Sequence, residues 1–193
     1  MNSYHIKSLE AYFSTYRKSV EDPEKFWGEL AEEHFTWHKK WSKVLEWDFN
    51  KPEISWFKEA KLNITENCID RHLESQGDKT AILFEPNDPK EEAQHISYSQ
   101  LAQSVNQMSN VLKEQGVKKG DRVCIYLPMI PELAYTVLAC ARIGAIHSVV
   151  FAGFSSTALA TRINDCDAKL VVTADGSFRG SKTIDLKGIV DEA

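Results

Sequence analysis

The sequence predicts an α/β fold, a parallel-stranded, doubly wound sheet built as βαβαβ and preceded by an aromatic-rich helical segment. Three observations carry that prediction. The runs at 123–127 (VCIYL), 145–151 (AIHSVVF) and 169–173 (KLVVT) are short and almost unbroken in apolar character, as in strands covered on both faces. Between them apolar residues recur every three or four positions, which makes two crossover helices and hence parallel, right-handed connections. All five tryptophans, at 27, 37, 41, 47 and 56, precede this pattern and set the first part of the chain apart.

Taken in order, Asp22-Pro23-Glu24 supplies a cap, a first-turn proline and an early acid, the start signal of a helix. Trp27, Leu30, Trp37, Trp41 and Val44 keep roughly helical spacing, which reads as one long helix or two short ones. Interleaved Trp and Lys would suit a nucleic-acid surface. Glu29, Glu32 and Glu33 share the segment, however, and an aromatic stripe at helical spacing reads first as packing. Residues 1–65 are expected to wrap the outside of a larger domain.

Thr65 is expected to cap a further helix with Cys68, Ile69, His72 and Leu73 on one side and Gly77 as its stop, and His72 reads as structural. TAILFE at 80–85 is strand-like, PNDPKEEAQ a polar turn, and 95–98 a hairpin partner. Ser97 with Gln100 forms a capping box for a helix using Leu101, Val105, Met108 and Leu112 and ending at Gly116. In the core unit, Pro131 and Glu132 start the first crossover helix, Leu133, Ala134, Val137, Leu138 and Ala141 line it, and Gly144 ends it. Gly153 breaks the next strand, and Ser155 or Ser156 caps a helix carrying Leu159, Ile163 and Cys166. The third strand runs into ADGSFRGSK, read as a loop of small and polar residues.

Composition narrows the function. At 193 residues the natural prior is one domain with an appendage, and 42% hydrophobic with 26% charged residues is that of an ordinary globular protein. A net charge of −5 without a long basic face argues against nucleic acid as a partner. Cys68, Cys124, Cys140 and Cys166 form no CxxC pair and have no histidine at metal-ligand spacing, so they read as reduced thiols rather than a zinc site. The first residues lack the apolar core of a secretory signal, and the longest apolar run, 134–154, is interrupted by Arg142, Gly144 and His147. No membrane partner and a cytoplasmic location are therefore expected.

No catalytic constellation is visible, neither GxSxG nor a Walker lysine loop, GxGxxG or HExxH. In an open parallel sheet ligands gather beyond the carboxyl ends of the strands, where two loops emerge. Phe151-Ala152-Gly153-Phe154-Ser155-Ser156 joins a glycine to a helix N-terminus, which suits an anion but equally makes a tight strand-to-helix turn, and spacing alone favours the turn. Arg179-Gly180-Ser181-Lys182 sets two cations and a hydroxyl about a glycine, suited to a phosphate; composition alone favours a solvated loop.

The segments NITENCIDRHL at 63–73, GVKKGDRVCIYLPMIPELAYTVLACARIGAIHSVVFAGFS at 116–155, TADGSFRGSK at 173–182 and LKGIVDEA at the end resemble the N-terminal portion of the AMP-forming acetyl-CoA synthetases, in the adenylate-forming superfamily of acyl- and aryl-CoA ligases. ACARIGA-H-x-VVF-x-GFS is specific to the short-chain acyl-CoA synthetases; Ala152 stands where a second glycine is common. The resemblance implies residues 1–65 as a helical lead-in and 66–193 as the first, truncated part of the AMP-binding domain. It implies that acetate and Mg·ATP give acetyl-adenylate and pyrophosphate, and that the thiol of coenzyme A then takes the acetyl group. It places Arg179, Gly180, Ser181 and Lys182 at the loop gripping coenzyme A near its nucleotide phosphates, and Gly153 beside the thiol tunnel.

The family's ATP loop, adenine and ribose motifs, acyl pocket and catalytic lysine, and with them its ATP and Mg sites, would lie downstream. No residue here is thus expected to be catalytic, and the partners are acetate, ATP, coenzyme A and the remainder of a parent chain. Competing readings are a propionyl-CoA or other short-chain acyl-CoA synthetase fragment, a non-catalytic module holding coenzyme A or phosphate, and an interaction protein using the tryptophan-rich lead-in. The enzyme-fragment reading makes a direct prediction. The purified 193-residue polypeptide should catalyse no acetate-dependent exchange of pyrophosphate into ATP, and measurable exchange would refute it.

Overall fold

The computed structural model describes residues 6–193. The chain divides into two units, one reaching to Asn63 and the other Ile64–Ala193.

The first unit begins with two helices. Helix α1 (Leu9–Glu21) is capped by Ser8, whose hydroxyl accepts from the Ala11 N–H. Helix α2 (Pro23–His34) starts as read, with Pro23 in its first turn and the Asp22 carboxylate accepting from the Lys25 N–H at 3.1 Å. The helical spacing carried through Trp37 and Val44 is a misreading. Phe35 turns extended (φ −123°, ψ 143°), and β1 (Lys43–Asp48) and β2 (Glu53–Lys58) form an antiparallel hairpin with Leu45 opposite Trp56 and Trp47 opposite Ile54. The reason is packing. Trp37 donates its indole N–H to the Ala31 carbonyl at 2.8 Å, a second donor there beside the Phe35 N–H, and its ring meets Trp41 and Phe57 at centroid distances of 5.1 and 5.5 Å.

The second unit opens with α3 (Ile64–Cys68), a 3₁₀ turn (Asp70–His72) and α4 (Leu73–Gln76), where one continuous helix was expected. Thr65 lies inside α3 and is no cap. Ile69 is fully buried and leaves helical geometry (φ −126°, ψ −67°), and the next turn tightens so that the His72 N–H donates to the Ile69 carbonyl. Arg142 secures this stretch by donating to both oxygens of Asp70, at 2.9 and 3.1 Å. His72 lies against the Tyr98 ring, a packing role in line with its sequence reading.

Strands β3 (Thr80–Phe84) and β4 (Gln94–Ser97) pair antiparallel, and α5 (Tyr98–Glu114) follows through the capping box. Ser97 Oγ accepts from the Gln100 N–H at 3.2 Å while Gln100 Oε1 accepts from the Ser97 N–H at 2.8 Å. Then come β5 (Arg122–Tyr126), α6 (Pro131–Ile143), β6 (Ile146–Val149), α7 (Ser156–Asp165) and β7 (Leu170–Thr173). The three strands form a parallel sheet in the order β6-β5-β7, the predicted βαβαβ unit. Gly144 ends α6 at φ +74°, a left-handed position that glycine occupies without penalty.

Strand β5 is covered on both faces. Val123 and Ile125 pack with Val105 and Leu112 of α5 and Ala139 and Cys140 of α6. Cys124 and Tyr126 pack with Leu159 of α7 and with Leu186 of α8 (Leu186–Glu192). Each valine, leucine and isoleucine among them contributes roughly 1.5–3 kcal/mol of burial. β6 and β7 are the outer strands of this sheet, and Ile146 and Val149 of β6 stay 55% and 52% exposed.

All four cysteines are free thiols, and burial pushes Cys124 and Cys140 up to about 11. In the native protein these two should resist alkylation near neutral pH, whereas exposed Cys68 reacts; mass spectrometry after brief alkylation checks this. The same burial fixes an alkaline limit. Below pH 9 the thiols are protonated in both states and the contribution is intact; above it the unfolded thiols release protons first. Stability should therefore fall between pH 9 and about 11, as denaturant titrations across that range would show.

Candidate ligand site at the carboxyl ends of the strands

Both sequence-predicted loops leave carboxyl ends of the parallel sheet, one after β6 and one after β7, with β5 between them. The first is a tight turn. The Gly153 and Phe154 N–H groups both donate to the Phe151 carbonyl, at 2.7 and 3.1 Å, and Ser155 caps α7 by accepting from the Ala158 N–H. A Cβ on Gly153 would stand 2.6 Å from the Phe151 ring, which is exposed and would have to swing aside to admit one. The Phe151 and Phe154 rings meet edge to face at 5.8 Å, and Arg162 of α7 lies over the Phe154 ring, 4.5 Å from its centroid. The Phe154 carbonyl accepts the Tyr126 hydroxyl at 2.7 Å.

The second segment is not the loop that its composition suggested. It is a hairpin of β8 (Gly176–Arg179) and β9 (Lys182–Asp185), joined by the two-residue turn Gly180-Ser181. Gly180 has φ +61° and Ser181 is not left-handed, the pattern of a II′ turn with glycine first. Small polar residues hide the strand signal, because alternation over four residues around a glycine is too short to read.

The hairpin changes what the two cations can do. Arg179 and Lys182 are direct cross-strand partners, so both side chains leave the same face at the tip, and both are exposed. Like charges held opposite each other repel, and an anion seated between them relieves that repulsion. Among the described residues neither forms a salt bridge with a carboxylate. The hairpin is anchored from elsewhere. The Asn87 side chain, 93 residues away in the β3–β4 connection, donates to the Gly180 carbonyl at 3.2 Å, and Asp185 caps α8 by accepting from the Gly188 N–H.

Sequence reading missed Asn87, Tyr126 and Thr173. Thr173, the last residue of β7, donates its hydroxyl to the Tyr126 carbonyl at 3.0 Å. Only Tyr126 carried a signal, a phenol inside an otherwise apolar run whose hydroxyl needs a partner.

A sequence model described as AMP-binding enzyme matches residues 69–192. The chain belongs to the AMP-binding enzyme family. A second model, described as acetyl-coenzyme A synthetase N-terminus, matches residues 12–68. The chain is 54% identical over 184 residues to an acetyl-coenzyme A synthetase of Magnetococcus marinus, covering 95% of this chain and 28% of that protein. It is 55% identical over 184 residues to one of Rhodobacter capsulatus, covering 94% and 28%. The solved acetoacetyl-CoA synthetase from Streptomyces lividans superposes with a TM-score of 0.85 at 27% identity, over 94% of this chain and 28% of that one. The chain thus spans about 28% of the length of these relatives. Both candidate segments lie within the span matched by the AMP-binding family.

The turn geometry makes a prediction. Gly180→Val places a β-branched residue at positive φ and should cost the hairpin about 1–2 kcal/mol, whereas Gly180→Asn should cost less. Hydrogen exchange should show faster opening of residues 177–184 in the first variant and little change in the second.

Proposed function

We propose that this chain is the N-terminal part of an AMP-forming acetate–CoA ligase, which turns acetate, ATP and coenzyme A into acetyl-CoA, AMP and pyrophosphate by way of acetyl-adenylate. The observation that carries the reading is identity above 50% to acetyl-coenzyme A synthetases over nearly the whole chain. The match of residues 12–68 to the N-terminal model of that enzyme adds support. In this reading residues 1–65 are the lead-in, 66–193 open the AMP-binding domain, and the enzyme works in the cytoplasm. No described helix is long and apolar enough to cross a membrane.

Arg179, Gly180, Ser181 and Lys182 hold the nucleotide phosphates of coenzyme A, and Gly153 borders the path of its thiol. The fit rests on chemistry at the hairpin tip. Two exposed cations share one face, and the turn between them adds a hydroxyl and a glycine that lets the ligand approach the backbone. These residues bind and orient coenzyme A, and the reactive thiol is the ligand's own. ATP and Mg²⁺ are assigned to parts of the enzyme outside this chain; among the described residues no group of three His, Cys, Asp or Glu is placed to hold a metal ion.

The test uses Arg179→Ala and Lys182→Ala in the full-length enzyme. A well-formed charge-assisted contact is worth roughly 1.5–3 kcal/mol, and screening at an exposed tip should reduce it to about 1 kcal/mol, several-fold in affinity. KM for coenzyme A should rise by that factor, while KM for ATP and acetate and the adenylation half-reaction hold. If the 3′-phosphate is the partner, the variants should discriminate less between coenzyme A and dephospho-coenzyme A than the parent does. Since either change also removes a like-charge repulsion, stability should not fall. Equal losses for ATP and coenzyme A would show that the hairpin serves the fold instead.

A further inference from the structure

Tyr126 closes the central strand and is the bulkiest fully buried side chain among the described residues. It is bonded to the segments leading into both candidate loops. Its hydroxyl donates to the Phe154 carbonyl in the turn after β6, and its carbonyl accepts from Thr173, three residues before the hairpin begins. A phenylalanine would fill the same space among Cys124, Val150, Leu159 and Leu186, so the hydroxyl adds nothing to that packing. What it adds is a bond 28 residues along the chain to a turn whose Phe151, Gly153, Phe154 and Ser155 are all exposed. Beside that bond, Ala152 packs against the same buried cluster, and from the surface Arg162 lies over the Phe154 ring. Phe154 is therefore held at its carbonyl from the core and at its ring from the surface.

We infer that Tyr126, assisted by Arg162, is a positioning residue for coenzyme A: its hydroxyl sets where the 151–155 turn, and with it Gly153, stands against the ligand, without touching the ligand itself. This rests on the coenzyme A reading of the site given above. With the turn assigned to coenzyme A, its loosening should leave adenylation intact. The loosening weakens the productive placement of the incoming thiol, which accepts the acyl group.

The experiment compares Tyr126→Phe and Arg162→Gln with the parent full-length enzyme. Tyr126→Phe should raise KM for coenzyme A by roughly fivefold, the loss of one hydrogen bond, and Arg162→Gln by roughly two- to threefold. In both, acetate-dependent pyrophosphate exchange should match the parent, and amide exchange at 153–158 should quicken. A lower melting temperature with unchanged KM for coenzyme A in Tyr126→Phe would reduce the hydroxyl to a stability role and overturn the inference. Equal losses in adenylation and thioester formation would overturn it too. Should Tyr126→Phe fail to fold, Arg162→Gln on the exposed face of α7 decides alone, an unchanged KM refuting the inference. The Arg179→Ala and Lys182→Ala variants separate the two levels. If they shift KM for coenzyme A and Tyr126→Phe does not, the positioning inference alone falls; if they shift nothing, the coenzyme A reading falls and this inference with it.

Discussion

From Val123 to Tyr126 strand β5 has no access to water on either side, and the rest of the second unit is arranged to keep it so. Val123, Cys124, Ile125 and Tyr126 are all fully buried, alternate residues feeding the α5–α6 cluster and the α7–α8 cluster. A strand apolar on both faces has to be flanked by strands and covered by helices on both sides, and right-handed crossovers through α6 and α7 accomplish this with little chain. The arrangement also brings the segments after β6 and β7 to the same end of the sheet, either side of Tyr126. The position of the candidate ligand site follows from the burial of one strand.

At that end the molecule holds two unlike devices. The 151–155 turn is short of polar side chains and is kept in shape by a buried hydroxyl, an aromatic pair and a stacked guanidinium. The β8–β9 hairpin instead displays an arrangement with an intrinsic cost, two cations directly across a ladder from each other. A costly charge pair at a hairpin tip makes sense where a polyanion supplies the missing charge. Asn87 keeps that tip in place by a neutral contact to the backbone, leaving the cations' charge uncompensated by the anchor.

Legibility from the sequence divided along physical lines. Elements whose signal is local came through: the apolar runs of β5 and β7, the capping box of Ser97 and Gln100, Pro131 at the start of α6 and Gly144 at its end. Elements decided by distant contacts did not. Trp37 and Trp41 sit at helical spacing from Trp27, yet the indole bond to Ala31 and the rings around Phe57 hold them in extended chain, and the β1–β2 hairpin forms instead. Ile69 breaks a well-patterned helix because the core takes its side chain. At the site, the composition of RGSK was readable, but that Arg179 faces Lys182 depends on a turn type set by the sign of one φ angle. Asn87 left no trace in the sequence, since nothing local marks a side chain whose partner lies 93 residues away.

The exposure of β6 has a colloidal consequence. Its backbone pairs only with β5 among the described residues, and Ile146 and Val149 stand half in water on either side of the pleat. A bare strand margin with apolar flanks is a template onto which another copy can add, strand to strand, without any change in fold. Four residues make a short template, and the adjoining His147 and Ser148 interrupt its apolar surface, which slows such growth without abolishing it. In an isolated polypeptide, the brevity of that margin and the net charge of −5 are what would oppose such growth.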